Sequence, residues 1–166
     1  MGISLDDIII RPIAPEDNPA IAKVIRDTLA EFGANHPGTV YYDPTTDHLY
    51  EMFQAAGSFY QVALWDGKIV GGGGIFPSDG LPPDTCELVK MYLVPEVRGI
   101  GLGRKLISDC IAAAEQYGYR NIYLETMPEL KDALKTYAKF GFNYLKGPMG
   151  NTGHFGCELW MHKTLR

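Results

Sequence analysis

Cysteine and histidine are scarce in this chain, three of one and four of the other among 166 residues. Cys86, Cys110 and Cys157 are odd in number, widely spaced and set in apolar segments. That excludes a disulfide framework and zinc-ligand spacing, and it predicts buried free thiols of a reducing compartment. No metal is expected. Positive charge is short too: 15 Lys and Arg face 20 Asp and Glu, a net charge of −5. A general nucleic-acid or anionic-membrane binder needs a basic face, so neither partner is expected beyond a local patch at Arg98, Arg104 and Lys105. Runs long enough to span a bilayer are absent. "MGISLDDIII" has no cationic region and no small-residue cleavage site, so no signal peptide is expected and cytoplasm is the default location. Asp6 stands where N-myristoylation asks for Ser or Thr, which argues against acylation of Gly2.

What is present suits one globular domain over 1–166: 46% hydrophobic and 21% charged residues, with no repeat or linker. "DIIIRPI" (7–13) reads as a strand. Ile21, Val24, Ile25, Thr28, Leu29 and Phe32 then recur at helical spacing, ending near Gly33. "ANHPGTVYYDP" reads as a loop, followed by a weaker helix over 46–56 with Leu49, Met52, Phe53 and Ala56 on one face. "SFYQVALWDGKIVGGGGIF" is a hairpin turning at Asp66-Gly67. "TCELVKMYLV" is a strand stopped by Pro95.

Leu102, Leu106, Cys110, Ala113, Ala114 and Tyr117 stripe the next helix, which ends at Gly118. "RNIYLET" is a strand. A helix from about Glu129 carries Leu130, Ala133, Leu134, Tyr137 and Ala138 as far as Gly141, and "FNYL" and "GCELWMHKTL" close the chain as strands. The order β-α-α-β-β-β-α-β-α-β-β is an α/β (α+β) arrangement, a mixed sheet with helices on both faces.

Gly99, Gly101 and Gly103 alternate between Arg98 and Arg104 at a strand-to-helix junction. The spacing excludes G-x-x-x-x-G-K-[ST], since Arg104-Lys105 follows the last glycine. It also excludes G-x-G-x-x-G, since Arg104 and Leu106 occupy the positions where the third glycine would stand. Successive N–H groups opening a helix, free of Cβ atoms, make an anion site suited to a pyrophosphate. A tight turn that uses glycine for geometry alone is the plainer alternative.

"MYLVPEVRGIGLGRKLI" resembles the acetyl-coenzyme A signature of the GCN5-related N-acetyltransferase (GNAT) superfamily, Arg/Gln-x-x-Gly-x-Gly/Ala, with Arg98, Gly101 and Gly103 in place. "LKTYAKFGFNYL" resembles the family's Tyr-x-x-x-Gly-Phe helix end, with Tyr137, Gly141 and Phe142. The element order fits that fold from 7 to 165. The resemblance implies a mostly antiparallel sheet of about seven strands, splayed between the fourth and fifth. It implies that Arg98, Gly99, Ile100, Gly101, Leu102, Gly103 and Arg104 hold the pyrophosphate of acetyl-CoA. The pantetheine arm would lie along Met91, Tyr92 and Leu93, with the Leu93 N–H as oxyanion donor. Many relatives carry an Asn near the next-to-last helix. Here that region reads "MPELKDA", with Glu129 or the backbone near Leu130 in its place, so no side chain is carried across.

The implied activity is transfer of an acetyl group from acetyl-CoA to a primary amine of a small molecule, amino acid or peptide, by direct attack in a ternary complex. Tyr137 is the implied acid for the leaving thiolate. Its phenol, near pKa 10 against about 8.5 for a thiol, makes full transfer cost roughly 2 kcal/mol, so a strong hydrogen bond serves equally well. Packing on the apolar helix face is the alternative role for Tyr137. Glu87 shares a strand face with Val89 and Met91 and is either a solvated strand end or the base for the amine. Glu125 is the next candidate base and an acceptor-binding residue. His154, in the glycine-rich loop "GNTGHFGCELW", is placed for acceptor binding; His36, His48 and His162 suggest no site. The four glycines 71–74 mark a bulge or a close approach, preferably room for the acceptor. An acyl-CoA-binding sensor without turnover is the alternative function, and homodimerisation is left open.

Overall fold

The computed structural model describes residues 2–165; Met1 and Arg166, which belong to the expected 1–166 span, lie outside them. Seven strands form one sheet: β1 (Ile8–Pro12), β2 (Phe59–Trp65), β3 (Lys68–Phe76), β4 (Thr85–Leu93), β5 (Asn121–Thr126), β6 (Asn143–Tyr144) and β7 (Leu159–Thr164). Their spatial order is β1-β2-β3-β4-β5-β7-β6. Every neighbouring pair is antiparallel except β4–β5. The helices are α1 (Asn18–Glu31), α2 (Leu49–Met52), α3 (Leu102–Gln116) and α4 (Lys131–Lys139).

The two sheet faces bury separate cores. On one, Ile21, Ile25 and Leu29 of α1 pack with Tyr60, Val62 and Val89. On the other, Ile107, Cys110 and Ala114 of α3 meet Leu88, Ile122, Leu124 and, from α4, Tyr137. The 3.6-residue periodicity of α1 and α3 thus marks the faces that lose water. All three cysteines are buried and free. Among the described residues no helix is long and apolar enough to cross a membrane.

Several expected boundaries are corrected. The stretch expected as one helix over 46–56 is a 3-10 turn, Pro44–Asp47, and the four-residue α2. His48 (φ −132°, ψ 43°) separates them, because its backbone leaves the helical region. A further 3-10 turn, Val40–Tyr42, lies within the expected loop. Helix α4 begins at Lys131 and not near Glu129, since Leu130 has non-helical angles. Tyr117 does not belong to the buried stripe: it sits at the C-cap of α3 and is 51% exposed.

Two irregularities of the central strands shape the space between them. First, β4 and β5 pair only where Thr85, Cys86 and Glu87 face Asn121, Ile122 and Tyr123, and beyond Glu87 they part. Second, the β3–β4 register shifts between Gly72↔Tyr92 and Gly74↔Val89, so β4 carries one extra residue. Lys90, with φ +55°, lies within that bulge.

Candidate functional site

A cavity of about 560 Å³ occupies the gap between the parting strands, lined by β4 from Glu87 to Leu93, by β5 near Glu125, by the 99–104 turn and by Tyr137. Its floor is the β4 edge that β5 leaves unpaired, so Met91, Tyr92 and Leu93 lie where the sequence resemblance required an open strand edge. At one end is the glycine turn. Gly99 (φ +79°) and Gly101 (φ +94°) occupy the left-handed region, and Gly101 caps α3. Gly103 has no such constraint, and a Cβ there would meet only Leu93 Cδ1 at 3.5 Å, an ordinary contact. The fold therefore does not require glycine at 103, although the residue lines the cavity. Leu102 is buried, Ile100 packs against the cluster of Val97 and Leu102, and Arg104 is exposed at the rim.

Arg98 is placed differently from its neighbours. Its guanidinium makes a two-pronged pair with Glu31 at 2.6 and 2.9 Å and donates to the Leu93 carbonyl at 2.8 and 3.2 Å. It also stands 5.0 Å over the Phe32 ring. These contacts tie the turn to α1 and β4, and they engage the guanidinium before any anion arrives.

The opposite end holds the charged groups. Glu87 is 3% exposed, and burial pushes its carboxyl up to about 7 against the hydrogen bond that Ser78 donates to it. It is not a solvated strand end. Glu125 accepts hydrogen bonds from the Tyr123 and Thr152 hydroxyls. These contacts and nearby His154 outweigh burial and hold it below the usual carboxylate range. His154 places Nε2 2.9 Å from Asp43 Oδ2 and Nδ1 3.6 Å from Glu125 Oε1. Burial works to lower its pKa, but those two carboxylates raise it to about 9, so the imidazole is protonated at neutral pH. Asp43 also pairs with the Lys90 ammonium at 3.4 Å and stays ionised despite its burial.

One sequence expectation about this strand is overturned. The bulge ends simple alternation, so Met91 leaves the face of Glu87 and Val89 and packs toward α3, while Tyr92 packs on the Val89 side. The glycines 71–74 do not make room for an acceptor either. The Tyr60 and Met91 side chains occupy the space above Gly72 and Gly73. Crossing β3 over the glycines, the Tyr60 hydroxyl donates to the Lys90 carbonyl at 2.7 Å and pins the bulge. Of the two alternatives for the glycines, the close approach is what they serve; the extra residue of the bulge lies on β4, opposite Gly73.

Three loops wall the charged end. Asn151 N–H donates to the Asp79 carbonyl at 2.7 Å, Gly156 N–H to Gly38 at 2.8 Å, and His154 bridges to Asp43. Tyr137, on α4, is buried against Phe142 with ring centroids 5.9 Å apart, and burial raises its pKa. It lines the cavity, and no hydrogen bond to another described side chain perturbs its hydroxyl. Asp43, Lys90 and Ser78 were missed in the sequence. Lys90 had a signal, a single cation inside an otherwise apolar strand; Asp43 had none, since loop closure brings it in.

One ligand atom from each of Glu87, Glu125 and His154 falls within 4.8 Å of the others, an arrangement that fits a small cation. A protonated imidazole has no lone pair to offer a cation and both its N–H groups already face Asp43 and Glu125, so the carboxylates of Glu87 and Glu125 are the groups of this set that can receive a positive charge.

A model of the acetyltransferase (GNAT) family matches residues 22–142. An Escherichia coli K12 protein, the uncharacterized N-acetyltransferase YjgM, is 41% identical over 158 residues, covering 95% of both chains. A GNAT-family acetyltransferase from Staphylococcus aureus Mu50 superposes with a TM-score of 0.81 at 19% identity, over 96% of this chain and 99% of that one. The putative acetyltransferase yncA from Salmonella typhimurium, solved with its cofactor acetyl-CoA, superposes at 0.73 and 22% identity, over 96% and 94%.

Proposed function

The chain belongs to the GNAT acetyltransferase family, and from that premise we propose that it is an N-acetyltransferase carrying acetyl from acetyl-CoA to a primary amine, with 1–166 acting as one domain. The observation that carries the reading is the two-ended cavity between β4 and β5, with the glycine turn that opens α3 at one end and the buried Glu87 carboxyl, its pKa pushed up to about 7, at the other. Gly103 supports the first end: a glycine that the fold does not need suits a position where phosphate oxygens approach the backbone. Main-chain groups from Gly99 to Arg104 hold the pyrophosphate, with the α3 dipole adding roughly half a positive charge. Arg98 serves by fixing the turn. The pantetheine amides pair with the free edge at Met91, Tyr92 and Leu93.

The amine enters as an ammonium toward the carboxylates of Glu87 and Glu125, with His154 holding Glu125 from the other side. Glu87, poised near pH 7, takes one proton. The nitrogen lone pair attacks the thioester carbon, and the Leu93 N–H steadies the oxyanion. Collapse breaks the C–S bond, and the nitrogen sheds its second proton to water; the sulfur leaves as a thiolate hydrogen-bonded by Tyr137 and takes up one proton, either from water or from Tyr137, which water then reprotonates. The products are an N-acetyl amide and free CoA, with no covalent enzyme intermediate. Incubation with acetyl-CoA and a panel of primary amines tests this: thiol release should match acetyl-amide formation. Tight acetyl-CoA binding without transfer to any amine would leave an acyl-CoA sensor instead.

A further inference from the structure

On an unbroken strand, side chains three residues apart point to opposite faces. The bulge breaks that rule here and turns Lys90 toward the site that holds Glu87. The backbone adopts φ +55° to do so, a conformation that carries strain for any residue with a Cβ. The Lys90 side chain is fully buried, yet its ammonium makes one long contact, 3.4 Å to Asp43. An ammonium has three donors, and Asp43 is its one hydrogen-bond partner among the described residues, which leaves two without a protein acceptor on a side chain that lines the cavity. His154, the neighbouring partly buried cation, is engaged at both ring nitrogens.

The charges at this end nearly cancel. Burial lowers the Lys90 pKa, and Asp43 and Glu87 oppose that shift; with the ammonium kept, Asp43 and Glu125 are matched by His154 and Lys90, which leaves Glu87 to balance one incoming ammonium. A second cation on the acceptor would have no counter-charge, whereas an anion would find the spare Lys90 donors. Resting on the transferase reading, we propose that the acceptor is an amino acid, its carboxylate held by Lys90 and its amino group presented to Glu87.

The test compares acceptors that differ by one group: amino acids, the corresponding amines without the carboxylate, their amides, and diamines. The wild-type protein should prefer the amino acid over its decarboxylated amine by at least about 30-fold in kcat/KM, the scale of losing one partner of a buried charge pair. In Lys90→Met that ratio should collapse toward one, through a rise in the amino acid's KM. Equal use of carboxylate-free amines or diamines by the wild type overturns the proposal while leaving the transferase reading intact. An unchanged ratio in Lys90→Met overturns it too. Acetylation of no amine at all removes both. The wild-type panel decides the matter even if Lys90→Met folds poorly.

Discussion

Glu87 and Lys90 stand three residues apart on β4, yet both reach the same cavity and each favours the charged form of the other. The bulge that permits this is fastened from two strands away by the Tyr60 hydroxyl. Tyr60→Phe should therefore cost about 1–3 kcal/mol, since the Lys90 carbonyl loses a buried donor. It should also raise the acceptor's KM severalfold while acetyl-CoA affinity stays. Thermal melts, calorimetry and steady-state kinetics measure the three. Wild-type values throughout would mean the bulge holds without Tyr60.

Gly103 separates ligand from fold. Gly103→Ala places a methyl in ordinary contact with Leu93 within the first turn of α3, where alanine gains about 0.5–1 kcal/mol over glycine. The variant should melt no lower than the wild type, yet bind acetyl-CoA about tenfold or more weakly, because charge-assisted bonds to the phosphate lengthen. Gly101→Val, at φ +94°, should lose stability as well. Calorimetry of the folded Gly103→Ala protein is the check, and undiminished affinity would reduce the glycines to turn geometry.

Tyr137→Phe keeps the ring that packs on Phe142 and removes only the hydroxyl. Fold and acetyl-CoA affinity should persist, with kcat reduced about 100-fold. Full turnover would make Tyr137 a packing residue and give the leaving thiolate to water.

Stability should fall as pH rises from about 4.5 to 9, in two separable stages. Glu87 and His154 both have raised pKa values, so each favours the folded state fully below its ordinary pKa. That contribution is lost as pH rises through about 7 for Glu87 and about 9 for His154. Each amounts to about 3 kcal/mol at 1.36 kcal/mol per pH unit. Urea unfolding across this range should show Glu87→Gln flattening the lower stage and His154→Gln the upper one. Parallel profiles for all three proteins would refute the buried network.

The strands, the two long helices and the glycine turn were legible because they are local: periodicity, turn residues and a short motif specify them within a few positions. Tyr137, Glu87, Glu125 and His154, singled out in the sequence, all line the one cavity. Residues whose role depends on register or loop closure were not legible. One extra residue in β4 reverses the faces of Lys90 and Met91, and alternation read along the sequence has no means of locating it. Asp43 joins His154 across 111 positions. Arg98, read as a phosphate ligand, is engaged by Glu31, 67 residues away. The weak helix over 46–56 failed for a local reason, a break at His48.

The claim on which the mechanism turns is that buried Glu87 takes the amine's proton near neutral pH. The pH dependence of kcat/KM for the best acceptor, in the wild type and in Glu87→Gln, measures it most directly. The wild type should gain activity as pH rises through about 7, where Glu87 ionises, and lose it above about 9, where His154 gives up its proton. Glu87→Gln should bind acetyl-CoA normally, turn over at least about 100-fold more slowly below pH 7, and show no limb near 7. A variant that keeps the wild-type limb and rate would contradict the account and remove the proton acceptor from Glu87.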